Sequence, residues 1–417
     1  MIYMKIVIIG CGFAGLSAAE TLSRRIDADI TLIDRKEYFE NLALLPEILS
    51  GKVNTSDVTG DIRKFAKRTG ANFIVGEVYD VDFDEKQVYL RRGRGTEVSA
   101  ESYDFLIISV GAEPSFFGIP GAEEHSFTVN SLESALSARR KLDELAQAQA
   151  QAQAQAKHWH CAVEGGGGAE DRSGGAEDRR AGDRSIDVVI AGAGLTGVEV
   201  AGEVVDFLRG RGACRIVEMM PRVLPAMPEK VSRRVAHMLA RRGVEMLTGH
   251  AVQSVREDEI ELRKVSSSES VVLHFDMLIW TAGLKPNRLS ERISAPKVRG
   301  WLKTDDYLRV YGFEDVYAIG DIAHFERASR TSGKNAEEAE RQGKAAAENI
   351  ARALKGKPLK EYTPKNTVQN PRALISVGGN EAIAYFNGIL FTCFAYRIKK
   401  HIERKFMRKF GVNREEI

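Results

Sequence analysis

Two glycine triplets and three carboxylates carry the chemistry legible in this chain. Gly10, Gly12 and Gly15 follow the apolar run Ile6-Val7-Ile8-Ile9, and Gly192, Gly194 and Gly197 follow Val188-Val189-Ile190-Ala191. In such a triplet the first glycine allows a tight turn, the second lets backbone approach phosphates, and the third lets a helix pack closely on its strand. The free N–H groups and positive dipole at the start of that helix suit a pyrophosphate. Asp34 lies 24 residues beyond Gly10 at the end of the run Asp29-Ile30-Thr31-Leu32-Ile33-Asp34. A carboxylate there can accept hydrogen bonds from an adenosine ribose. Glu218 holds the matching place after Arg215-Ile216-Val217, and Asp321 follows Gly320 at the end of the apolar run Val316 to Ile319.

The elements that must position these groups repeat. Each glycine triplet implies a buried parallel strand running into a helix, the first over Leu16 to Leu22. Each half then closes alike: Asp104-Phe105-Leu106-Ile107-Ile108-Ser109-Val110-Gly111-Ala112-Glu113-Pro114 keeps the register of Asp276-Met277-Leu278-Ile279-Trp280-Thr281-Ala282-Gly283-Leu284-Lys285-Pro286. Alternating strands are expected between triplet and closing strand, at Asn72 to Phe83 with Gln87 to Leu90, and at Val244 to Val255 with Ile260 to Leu262. A chain of 417 residues has room for two or three domains. The expected fold class is therefore α/β, with two Rossmann-like dinucleotide-binding domains and a C-terminal amphipathic helical tail.

Composition narrows the function. A net charge of +2 argues against a nucleic-acid partner, since the basic residues cluster at one end only. No apolar run is long enough to span a bilayer, and the N-terminal apolar stretch lacks the pattern of a signal peptide, so a cytoplasmic location is expected. Four scattered cysteines, Cys11, Cys161, Cys214 and Cys393, fit a reducing compartment. Oligomeric state is left open, a homodimer included.

With Gly320-Asp321 in place, the chain resembles the two-dinucleotide flavoprotein oxidoreductases, of glutathione-reductase-like fold, over nearly its whole length apart from residues 145 to 185. The resemblance implies FAD on the first unit, held by Gly10, Gly12, Phe13, Ala14, Gly15, Asp34, Arg35, Val78, Gly111, Gly320 and Asp321, with Asp321 at the ribityl and phosphate portion. It implies NADH on the second, at Gly192, Gly194, Gly197, Glu218, Ala282 and Gly283. The implied domains are 1–115 and 291–370 for FAD, 116–290 for NADH with a low-complexity insertion at 145–185, and 371–417 for membrane association. Asp321 can equally serve as a helix N-cap. Glu218 accepts from a 2′-hydroxyl and repels a 2′-phosphate, which favours NADH over NADPH, although Arg222 nearby weakens the preference. Glu199 stands in the first turns of the second helix. In the resembled family the matching glutamate lies near the nicotinamide and flavin rings and is the catalytic candidate; stabilisation of the helix end is the alternative.

Disulfide reductases of this fold carry a redox cysteine shortly after the first ribose acid. Here that segment reads Tyr38-Phe39-Glu40-Asn41-Leu42-Ala43-Leu44-Leu45-Pro46, so electrons must leave the flavin directly. The scattered cysteines also weaken a sulfide:quinone oxidoreductase reading. Gln147 to Ala156 alternates Gln and Ala and can extend a helix begun near Leu132, whereas Gly165 to Arg184 has no apolar content to pack. His158, His160 and Cys161 lack an evident fourth metal ligand, and no metal is expected.

The tail suggests the acceptor. Phe391, Phe394, Ala395, Ile398, Ile402 and Phe406 recur at helical spacing among Arg397, Lys399, Lys400, Arg404, Lys405, Arg408 and Lys409. Such a helix can lie in an anionic membrane surface or dock on protein. With Trp280-Thr281-Ala282-Gly283, this end resembles type II NADH:quinone oxidoreductases. That family has two glutamines beside the quinone; here Glu337 and Arg341 occupy those positions. The expected activity is FAD-dependent NADH dehydrogenation with a membrane quinone or similar lipophilic carrier as acceptor, on a protein bound peripherally to the cytoplasmic face. Rivals are a soluble flavoprotein reductase for a protein or disulfide acceptor and a non-catalytic flavin sensor. Since both nucleotide units lie earlier in the chain, removal of the residues after Gly388 is expected to spare hydride transfer.

Overall fold

The computed structural model describes residues 4–92, 97–164 and 185–410, residues 157–164 by their backbone alone. Its largest sheet has seven strands, in the order Val316–Ala318, Phe105–Ile108, Lys5–Ile9, Asp29–Asp34, Asn72–Asp82, Gln87–Arg92 and Glu97–Ser102. The first five run parallel, and the last three form an antiparallel meander. Parallel strands are covered on both faces and so read as continuous apolar runs. In Lys5–Ile9 the side chains alternate between two cores, Ile6 and Ile8 in one, Val7 and Ile9 in the other.

The second unit repeats this plan. Val244–Thr248, Gly212–Glu218, Ile186–Ala191 and Met277–Trp280 form a parallel four-stranded sheet, with Val188 and Ile190 on one core and Val189 and Ala191 on the other. A three-stranded meander, His250–Val255, Glu259–Lys264 and Ser270–His274, accompanies it. The repeat is imperfect. Asn72–Asp82 is one continuous strand, whereas its counterpart is broken at Gly249, whose φ of +72° ends Val244–Thr248 and starts a strand in the other sheet. The closing segments of the two units pair with each other, Ala112–Pro114 antiparallel to Leu284–Pro286.

Helix Phe13–Ser23 packs on helix Ala336–Leu354. A Cβ at Gly343 would lie 2.3 Å from the Ala14 carbonyl oxygen, so glycine sets that closeness. Helix Leu132–Glu164 does run through the Gln-Ala repeat. Leu132, Ala135, Ala138 and Leu142 anchor its first turns in the core. The side chains of His158, His160 and Cys161, and the whole of Gly165 to Arg184, lie outside the described residues.

The tail departs from its expected arrangement. Its helix spans Ala395–Met407, Phe391 belonging instead to the strand Ile389–Phe391. Ala395, Lys399, Glu403, Phe406 and Met407 face inward and are buried, and Phe410 follows them. Phe394, Ile398 and Ile402 form the adjacent stripe and remain 68%, 36% and 50% exposed. The apolar set read from the sequence is thus divided between two stripes. Ala395 and Phe406 belong to the docked one, whose charges are paired inside the protein: Lys399 Nζ lies 2.5 Å from Glu199 and 3.7 Å from Glu403, and Lys400 pairs with Glu47.

Candidate functional site

One cleft of about 530 Å³ runs between the two units. From the first it is lined by Gly10, Gly12, Phe13, Ala14, Asp34, Arg35, Val78, Gly111, Gly320 and Asp321; from the second by Leu195, Thr196, Glu199, Thr281 and Gly283. Gly15, Gly192, Gly194, Gly197, Glu218 and Ala282 are not among its lining residues.

The two turns share one construction. Gly10 and Gly192 have φ of +92° and +101°, a conformation that glycine adopts readily. A Cβ at Gly15 or Gly197 would lie 2.0 Å from the carbonyl oxygen of Gly10 or Gly192 respectively, so these glycines seat helix on strand. At Gly12 and Gly194 a Cβ would meet nothing within 4 Å. Their glycine leaves open space beside the helix N-terminus, the cradle an anion needs. The hydroxyl residues of the closing segments lie beneath these turns: Ser109 Oγ is 2.8 Å from both the Ile9 and Gly10 carbonyl oxygens, and Thr281 Oγ1 is 3.0 Å from those of Ala191 and Gly192.

The strand-end acids also correspond. Asp34 accepts from the N–H groups of Cys11 (2.7 Å) and Lys36 (2.9 Å), and Glu218 from those of Ala193 (2.8 Å) and Met220 (2.9 Å). Burial raises the Asp34 pKa, against the pull of its two N–H donors. The Arg222 guanidinium is held by the Met227 and Pro225 carbonyls at 2.8 and 2.9 Å.

Asp321 does not cap a helix. It sits within the short turn Gly320–Ile322, and Asn335 caps the following long helix by accepting from the Glu338 N–H. No hydrogen bond to the Asp321 carboxylate is present among the described residues. Burial raises its pKa, partly offset by Lys334. Lys334 also lines the cleft. Its ammonium lies 3.5 Å from the centre of the Trp301 ring, and burial lowers its pKa to about 8. An acidic side chain left without a hydrogen-bond partner among the described residues, beside an open glycine turn, matches the donors and acceptors of a dinucleotide's hydroxyls and phosphates.

Glu199 is 13% exposed at its side chain. It accepts from the Ser376 N–H at 3.1 Å and from Lys399 at 2.5 Å. Burial opposes the charge on Lys399, but Glu199 and Glu403 outweigh it and raise the pKa. Sequence reasoning missed Lys399 because a basic residue on a basic amphipathic helix reads as solvated. It also missed the tail's seat on the first turn: the Phe13 ring lies 5.1 Å from Phe39 and 4.5 Å from Phe406, and Phe410 stacks on Phe39 at 5.0 Å. The tail therefore supports the glycine turn, contrary to the expectation that everything after Gly388 is dispensable for the nucleotide sites.

Leu42, Ala43 and Pro46 line the cleft where a relay thiol would be needed. Cys11 lies there too, but burial, with Asp34 adding, pushes its thiol pKa well up, and Cys214 is buried in its strand. Glu337 and Arg341 do not line the cleft. Glu337 pairs with Arg372 at 2.8 Å, and Arg341 approaches Glu338 at 3.5 Å and the Thr363 carbonyl at 3.3 Å.

The model of a family described as pyridine nucleotide-disulphide oxidoreductase matches residues 4–343. A type II NADH:quinone oxidoreductase from Staphylococcus saprophyticus is 26% identical over 425 aligned positions, covering 98% of this chain and 96% of that protein. One from Staphylococcus aureus is 26% identical over 381 positions, covering 87% and 86%. Among solved structures, NDH2 from Plasmodium falciparum in complex with NADH superposes with a TM-score of 0.80 at 20% identity, over 98% of this chain and 97% of that one. The sulfide:quinone oxidoreductase of Aquifex aeolicus gives 0.79 at 18%, over 98% and 91%. At these identities the structural likenesses establish the fold.

Proposed function

This chain belongs to the pyridine nucleotide-disulphide oxidoreductase family, and on that premise we propose that it is an FAD-dependent NADH dehydrogenase that reduces a membrane quinone. NADH, a proton and a quinone would yield NAD⁺ and a quinol. The observation that carries this reading is the single cleft in which Gly10 to Ala14 and Asp321 meet Leu195, Thr196, Glu199 and Thr281 of the other unit. Bound FAD would supply the two-electron chemistry, taking hydride from NADH and giving electrons to the acceptor.

In this proposal the first unit, 1–115 with 291–370, holds FAD through Gly10, Gly12, Phe13, Ala14, Gly15, Asp34, Arg35, Val78, Gly111, Gly320 and Asp321. The second, 116–290, holds NADH through Gly192, Gly194, Gly197, Glu218, Ala282 and Gly283. Asp321 accepts from a ribityl hydroxyl. Glu199, fixed by Ser376 and Lys399, orients the nicotinamide at the junction of the units, a placement whose worth lies in pre-paid orientation. A quinone contact at Glu337 and Arg341 requires their ion pairs with Arg372 and Glu338 to open. Leu42, Ala43 and Pro46 in the cleft favour a quinone over a disulfide acceptor, since Cys11, the one cysteine that lines it among the described residues, is buried and its thiol pKa is raised.

Among the described residues no helix is long and apolar enough to cross a membrane. The exposed stripe Phe394, Ile398 and Ile402, flanked by basic residues, suits peripheral attachment to the anionic cytoplasmic surface. The deciding experiment is steady-state oxidation of NADH with a panel of quinones and disulfides. Quinone-dependent turnover is expected; turnover only with disulfides would overturn the acceptor, and no turnover with any acceptor would overturn the enzyme.

A further inference from the structure

A second cavity, of about 560 Å³, opens away from the nucleotide cleft between helix Glu229–Arg241 and the first turn of the tail helix. Its walls include Arg234, Met238, Arg241, Glu381, Phe394 and Arg397. Arg234, Met238 and Arg241 fall four and three residues apart and therefore share one helix face. Arg241 pairs with Glu381 at 3.2 Å. Arg234 and Arg397 are exposed and make no ion pair among the described residues. Three guanidinium groups thus meet one carboxylate.

The first turn of the tail helix adds to this field. Its N-cap, Phe394, supplies no side-chain cap, and no acid stands in that turn; the Ala395 N–H donates to the Thr392 carbonyl oxygen at 3.2 Å, but the positive end of the dipole faces no carboxylate of its own turn. Guanidinium is the side chain best matched to phosphate, because its planar fork meets two oxygens at once. Beside the cavity the same helix presents Phe394, Ile398 and Ile402 to solvent. A ligand that satisfies both features has an anionic phosphate head and hydrocarbon next to it.

We propose that this cavity seats the phosphate of an anionic membrane phospholipid, whose chains leave over Phe394, Ile398 and Ile402. The inference rests on the peripheral-membrane reading and deepens it. Attachment is then more than attraction of a basic tail to a charged surface: the second nucleotide unit contributes Arg234 and Arg241, so one lipid bridges that unit and the tail. A free phosphate would satisfy the arginines but leave the apolar stripe uncovered.

The test is binding of the flavin-loaded protein to phosphatidylcholine vesicles with and without phosphatidylglycerol. Arg234→Gln with Arg397→Gln is compared with Arg404→Gln and Lys405→Gln, an equal loss of charge on exposed tail positions outside the cavity. Retained flavin absorbance and melting temperature show that both variants are folded. Affinity of the cavity pair for phosphatidylglycerol vesicles should fall on the order of tenfold beyond the control pair, since charge attraction alone treats the two alike. Cys393 also lines the cavity and is exposed, whereas Cys11 and Cys214 are buried. In a Cys161→Ser background, phosphatidylglycerol vesicles should slow its alkylation more than phosphatidylcholine vesicles do. Equal losses in the two pairs would overturn the cavity while leaving membrane attachment standing; failure of the intact protein to bind either vesicle would overturn both. Equal protection of Cys393 by soluble glycerol phosphate would assign the cavity to a free phosphate and overturn the lipid.

Discussion

Replacing Phe406 by alanine should destabilise the protein and loosen its flavin together. The ring is 5% exposed and lies 4.5 Å from Phe13 and 5.0 Å from Phe39. Truncating a buried phenylalanine costs about 3–5 kcal/mol, a large part of a typical total of roughly 5–15 kcal/mol. Phe13 stands between Gly12 and Ala14 in the turn that lines the cleft, so removing its partner also frees the cradle. The assay is urea unfolding followed by tryptophan fluorescence, with flavin release measured on the same samples. Ile402→Ala, on the same helix but 50% exposed, should change stability by no more than about 0.5 kcal/mol. A Phe406→Ala protein that unfolds within about 1 kcal/mol of the parent and keeps its flavin would show that the tail is not seated against Phe13 and Phe39.

Gly12→Ala should leave the flavin-free protein as stable as the parent, because its Cβ meets nothing within 4 Å, yet weaken FAD retention in a dialysis assay; Gly15→Ala, with a Cβ 2.0 Å from the Gly10 carbonyl oxygen, should lower the melting temperature itself. Glu218→Ala should narrow the preference for NADH by relieving repulsion of the 2′-phosphate, read as the ratio of kcat/KM for the two coenzymes; a parent that already prefers NADPH would show the assignment of Glu218 to be mistaken. Burial pushes the Glu403 carboxyl from 4.5 up to about 7, with Lys399 and Lys400 opposing and Glu47 adding. The fold thus favours its neutral form, and that contribution is complete below about pH 4.5 and lost as pH rises through 7. Glu403→Gln should therefore flatten the fall of the urea midpoint between those two pH values, and an unchanged slope would exclude Glu403 as its source.

The nucleotide units were legible in the chain because their signals are local. A strand buried on both faces is apolar at every position, a tight turn needs glycine, and a helix must begin within a few residues, so Ile6 to Gly15 and Ile186 to Gly197 declare themselves. Even the small hydroxyl in the closing segments could be matched between the halves as Ser109 and Thr281. Its service to the carbonyls of the glycine turn joins residues 99 positions apart in one unit and 89 in the other and emerges only in the folded chain. Gly249, by contrast, gave no sign of dividing one expected strand into two, because its left-handed φ is a choice between two sheets.

The tail shows most plainly where sequence periodicity stops. Helical spacing identified a helix and an apolar set, but could not say which stripe faces the protein. Lys399 belongs to the inward stripe because Glu199 lies opposite it, and Phe406 because the Phe13–Phe39 surface does. A charge is costly to bury alone and tolerable when a partner is already in place. That partner is fixed some two hundred residues away, so the docking of the tail, its support of the glycine turn and the arginine cavity beside it were decided by tertiary structure alone.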